Sequence, residues 1–198
     1  MKLKNKLILT AAVCAFGMVG SVSTHAVDFL VGGTLTASAA VNATKNADMD
    51  FASLDYSAGH VGVVELGPDA NIQLTGGGSG LVSSGAPVAG EIAITDSTNM
   101  IDVSCETGGV LSDGTRAITL QNVKWDQSNA VDYTTAANTC AGLATVVTID
   151  ASVTNNPSIY IGAELDVTVN SLNGSSSGTA YDTATGTGDP VTFRVVIQ

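Results

Sequence analysis

VDFLVGGTLTASAAVN, Val27 to Asn42, decides the class of this chain. Its odd positions, Val27, Phe29, Val31, Gly33, Leu35, Ala37, Ala39 and Val41, are apolar or glycine, whereas Asp28, Thr34, Thr36, Ser38 and Asn42 put polar groups on the other face. A period of two belongs to a half-buried strand and not to a helix. Extended at about 3.3 Å per residue, the stretch would reach roughly 50 Å, while strands in globular domains mostly run about five or six residues. One domain hardly uses all of it. The sequence therefore predicts a division at Gly32-Gly33, with residues 27 to 33 as an N-terminal extension and residues 34 to 198 as one domain whose first strand is Leu35 to Val41.

The same periodicity recurs downstream. HVGVVEL (60 to 66), NIQL (71 to 74), EIAITD (91 to 96), MIDVSC (100 to 105), AITLQNV (117 to 123), LATVVTIDASV (143 to 153), ELDVTVN (164 to 170) and VTFRVVIQ (191 to 198) alternate or are β-branched. GPDA, GGGSG, SSGAP, LSDGT, NNPS, LNGSSSG and TGTGDP lie between them as turn signals. A chain rich in Gly, Ser, Thr, Ala, Asn and Val, with few charges at helical spacing, opposes helix. About eight or nine short strands at this spacing predict an all-β antiparallel sandwich or barrel.

Upstream, MKLKNK, LILTAAVCAFGMVG and SVSTHA give a basic end, a short apolar run and a small-residue exit, the three parts of a helical signal peptide over residues 1 to 26 cut after Ala26. Cleavage removes three of the seven basic residues and none of the eighteen acidic ones, so the formal charge moves from −11 to −14. The remaining cations are Lys45, Arg116, Lys124 and Arg194. Such a surface repels phosphate backbones, so nucleic acid is not an expected partner. No later segment is apolar for about 18 residues, so stable membrane insertion of the mature chain is not expected either. Cys14 leaves with the signal, and Cys105 and Cys140 form an even pair that an oxidising compartment would join, for about 3 to 4 kcal/mol in the loop-entropy account. The predicted location is outside the cytoplasm: periplasm, cell surface or medium.

Groups suited to chemistry are sparse. The mature chain has a single histidine, His60, at the start of a predicted strand, where a surface turn residue is the plainer role than a base. GGGSG at 76 to 80 lacks the Lys-Ser/Thr of a phosphate loop, and no nucleophile elbow or zinc spacing occurs. Neither an enzyme nor a cofactor is expected. Asp48 with Asp50, and Glu164 with Asp166, are spaced i, i+2, which on a strand places each pair on one face. A solvated sheet face explains them most simply, with a weak calcium site as the sharper alternative. Trp125 fits a core aromatic, or a ligand platform for sugar stacking. Asn42-Ala43-Thr44 and Asn173-Gly174-Ser175 match the glycan acceptor pattern.

TASAAVNATKNADMDFASL (36 to 54) and PSIYIGAELDV (157 to 167), followed by a β-branched final strand, resemble a secreted bacterial family catalogued as a domain of unknown function (DUF4402-like). That resemblance covers roughly residues 34 to 198 and implies export and an immunoglobulin-like sandwich, with no activity and no functional residues to carry over. In architecture the chain also resembles fimbrial subunits that polymerise by donor-strand exchange. There an N-terminal extension of alternating apolar residues fills a groove in the next subunit; here Val27, Phe29 and Val31 would be the plugs and Gly33 the small inward position. The cysteines lie mid-chain and Ile197 is penultimate, both unlike the chaperone-assembled subunits. Two functions fit: a filament subunit whose partners are copies of itself or related subunits, with a periplasmic chaperone as a further candidate, or a monomeric extracellular binding module for a glycan or protein.

Overall fold

The computed structural model describes residues 26–37, 42–55, 62–75, 82–95, 99–151, 153, 156–167 and 179–198, with only the backbone described for 26–30, 36, 37, 55, 82, 83 and 179. The signal segment, His60, GGGSG and Asn173 lie outside the described residues. No described helix is long and apolar enough to cross a membrane.

Sixteen strands are described: β1 Ala26–Val31, β2 Gly33–Ala37, β3 Asn42–Ala47, β4 Met49–Asp55, β5 Gly62–Leu66, β6 Ile72–Thr75, β7 Val82–Ser84, β8 Gly90–Thr95, β9 Met100–Cys105, β10 Gly109–Ser112, β11 Ala117–Asp126, β12 Asn138–Thr139, β13 Val147–Asp150, β14 Ser158–Val167, β15 Thr179–Asp182 and β16 Val191–Ile197. They form two sheets. The larger runs β3-β8-β14-β11-β10-β15-β1-β4-β7, with the β5-β6 hairpin on β14 and β12 on β11; the smaller runs β13-β9-β16-β2. Residues of both, such as Leu120, Leu165 and Trp125 from one and Ile101, Val103, Phe193 and Val195 from the other, share one buried core. The fold is an all-β sandwich.

All eight alternating runs downstream of the opening stretch contain strands, and eight further strands join them. The antiparallel expectation needs correcting at the N-terminus. β1 lies parallel to β15 and β2 parallel to β16, each pairing residues more than 140 positions apart.

Within β11 the inward residues are Ile118 and Leu120, then Val123 and Trp125, so the alternation slips by one. Asn122, at φ 49°, takes up the extra residue where the β11–β14 register shifts. Asparagine tolerates that left-handed geometry better than most residues, which suits it to a bulge. On β14, one edge pairs with β8 over Ser158–Ile161 and with β5 over Ala163–Val167. Gly162 sits at the changeover, where a Cβ would overlap the Leu66 carbonyl oxygen.

Cys105 and Cys140 form the expected disulfide, with Cα atoms 5.1 Å apart. Cys105 ends β9 in the small sheet and Cys140 follows β12 on the large one. The bond that the sequence reads as closing a mid-chain segment thus also fastens sheet to sheet.

Candidate functional site

Among the described residues, the two parallel pairings are also where the opening stretch lies. Residues 26–31 run as β1 between β4 and β15, with Val27 opposite Leu54 and Thr179, and Phe29 opposite Tyr181. The chain then crosses to the small sheet and continues as β2 along the edge strand position beside β16, Gly33 opposite Val191. Val31, 1% exposed, is buried in its own chain's core.

At the crossover, two peptide groups have left one ladder before fully joining the other, and side chains take over their hydrogen bonds. The Gly32 N–H donates to Thr183 Oγ1 at 2.8 Å, and that hydroxyl lies 3.3 Å from the Gly32 carbonyl oxygen. Gly33 donates its N–H to Asp48 Oδ1 at 3.0 Å and accepts from Lys45 Nζ at 3.1 Å, while Lys45 and Asp48 are themselves paired at 2.7 Å. Backbone groups removed from water need such partners. A Cβ on Gly32 would come within 2.7 Å of Thr183 Oγ1, so a larger residue there would have to displace that hydroxyl. Beneath it a cleft of about 20 Å³, room for about one water, is lined by Val31, Leu35, Met49, Ile92, Val191 and Phe193.

Of the acid pairs, Asp48 belongs to this crossover and Asp50 accepts the Ala52 N–H within β4, so the two are used separately. Glu164 faces a different partner from the one its spacing suggests. Across the β5–β14 ladder it lies directly opposite Glu65, and the β11–β12 connection folds over both. That connection brings in Tyr133, 2% exposed, whose hydroxyl lies 2.7 Å from the Asn122 carbonyl oxygen and 2.9 Å from Glu164 Oε1. Burial first, then the hydrogen bond and negative charge of Glu164 with that of Glu65, push the phenol well above its ordinary range. Lys124 Nζ stands 4.2 Å over the same ring and donates to the Tyr133 carbonyl. Tyr133 and Glu65 carry no signal in the sequence; the broken alternation at Asn122 was the one legible sign that something interrupts this sheet face.

Trp125 is 1% exposed, so its ring is core and offers no surface to a sugar. The ligand-platform alternative falls for that reason. A wider, shallow cleft of about 390 Å³ beside Gly108, Gln121, Asn122 and Asp189 has no aromatic lining. Among the described residues no three or more His, Cys, Asp or Glu side chains converge on one point.

A family model described as Domain of unknown function (DUF4402) matches residues 41–185. The span begins after β2 and ends before β16, narrower than residues 34 to 198. No curated protein and no solved structure matches the chain.

Proposed function

Because this chain belongs to the DUF4402 family, whose description assigns no activity, we propose its role from the molecule itself: an exported, non-enzymatic structural subunit that assembles into a surface filament by exchange of β1. In the assembled form, β1 of one copy occupies the place between β4 and β15 of the next that its own β1 holds in the isolated chain.

The observation behind this is the placement of β1. It is an interior strand with neighbours on both edges, yet on its C-terminal side it connects to the domain only through Gly32 and Gly33. With cleavage after Ala26 its other end is free. Exchange remakes in a second copy the same ladder and the same burial, so the bonds nearly cancel and concentration tips the balance, as in domain swapping. A disulfide and the absence of a long apolar helix among the described residues are compatible with export.

Light scattering and electron microscopy of residues 27–198, with and without 27–33, test it. The longer form should grow with concentration into thin fibres, and a free peptide of residues 27–33 should cap that growth. A longer form that stays monomeric at all concentrations, on cells lacking such fibres, refutes the proposal. Should the shortened form not fold, a lock serves instead: Asp28→Cys with Ser53→Cys, opposed on β1 and β4, should block assembly when oxidised and permit it when reduced.

A further inference from the structure

Glu65 and Glu164 are direct cross-strand partners, so their side chains share one face of the sheet with Cβ atoms about 4.5–5.5 Å apart, where like charges repel. Yet the fold buries Glu65 and half-buries Glu164 instead of letting both swing into water. Glu65 is 9% exposed. Its Oε1 has one long contact, 3.4 Å from Thr75 Oγ1, and its Oε2 has no hydrogen-bond partner. A carboxylate removed from water without a partner is a costly arrangement.

Its neighbour is already supplied. Glu164 Oε1 faces the Tyr133 hydroxyl, and Oε2 accepts from Asn122 Nδ2 at 2.6 Å and lies 3.5 Å from Gln121 Nε2. Those donors occupy both oxygens of Glu164 and leave none of them for Glu65. Lys124 is engaged with the ring and carbonyl of Tyr133, and no lysine or arginine among the described residues forms a salt bridge with either acid. Over the pair lies the β11–β12 connection, held down by the Asp69 N–H on the Val131 carbonyl and by the approach of Tyr133 and Asp132 to Gly67.

We infer that this roofed pair is a divalent-cation site of the calcium class, with Glu65 Oε2 and the Glu164 carboxylate as its charged ligands. A hard cation with flexible coordination satisfies the unpartnered oxygen and cancels the repulsion in one step. Magnesium, which demands near-ideal octahedral geometry, fits an irregular, loop-capped pair less well. Two carboxylates, with water completing the shell, place the affinity in the range of extracellular modules, about 0.1–1 mM. The site is independent of whether the chain polymerises.

The experiment is a calcium titration of residues 27–198 followed by thermal melting and by terbium luminescence. Binding that favours the native state must raise the melting temperature. The expected result is saturation near millimolar calcium, a weaker response to magnesium, and an affinity lowered about tenfold or more in both Glu65→Gln and Glu164→Gln, with Asp50→Asn unchanged. Two variants guard against one failing to fold. A melting temperature and luminescence indifferent to calcium overturn the proposal, as does a calcium response that survives Glu65→Gln and Glu164→Gln. If stability instead climbs on acidification and this climb vanishes in Glu65→Gln, a shared proton holds the pair and the cation site is refuted.

Discussion

β14 and β1 are both interior strands of the same sheet, but they are held in different ways. β14 is antiparallel to all its neighbours, is ten residues long, and has a glycine fitted against the Leu66 carbonyl and inward residues that are fully buried. β1 is six residues long, pairs in parallel on one side and irregularly on the other, and hangs from a crossover secured largely by side-chain hydrogen bonds. On the β4 side its register shifts between Asp28 and Leu30, against a stretch that contains Ala52 at φ 57°. A non-glycine residue in that geometry carries roughly 1–2 kcal/mol of strain. The centre is held by long antiparallel ladders on both edges; the N-terminal strand is held by shorter and less regular ones.

That contrast can be broken by measuring where stability resides. Replacing Cys105 and Cys140 together by alanine should cost about 3–4 kcal/mol in urea denaturation, because the chain loses its sheet-to-sheet tie. Gly162→Ala, at the centre, should cost about 3 kcal/mol as the added methyl forces β5 off β14. Val31→Ala, on β1, should cost about 2 kcal/mol by the same assay; a loss equal to that of Gly162→Ala would erase the distinction between the two strands. Thr183→Val should cost about 1 kcal/mol, through the unpaired crossover peptide, and it should speed filament growth if the crossover is the hinge of exchange.

The smallest effect is one of pH. Burial raises the Asp113 carboxyl, but the N–H groups of Arg116 and Thr115, the Arg116 charge and a hydrogen bond from Tyr181 outweigh it and hold the group below its ordinary value. A lowered folded value means the contribution is fully present above the unfolded value of about 3.9 and fades as pH falls through the folded one. Asp113→Asn should therefore lower the melting temperature slightly at neutral pH, where the contribution is fully present, and flatten its acid limb below about pH 4, so that variant and parent converge as pH falls.

How much of this the residues announced depends on how local the signal is. HVGVVEL, EIAITD and VTFRVVIQ declare their strands because alternation is a property of neighbours in sequence. NATKNA and MDFASLD, which became β3 and β4, declare little, since their strand state comes from β8 and β1 beside them. Parallel pairing of Val27 with Thr179 and the meeting of Glu65 with Glu164 join residues far apart in the chain, and no spacing rule reaches that far. A break in the long strand at Gly32 was legible from glycine and length; that β1 and β2 would both pair in parallel within this chain was not.

The disulfide, described above as a tie between sheets, is also a limit on length. If a chain is drawn out by its two ends, the residues between Cys105 and Cys140 stay looped, and a separation of 35 positions withholds roughly 110 Å of extension at about 3.4 Å per residue. Single-molecule stretching would read that as a contour step that lengthens on reduction. A fibre made of such links would yield at its exchanged strands and stop, with the middle of every subunit still closed.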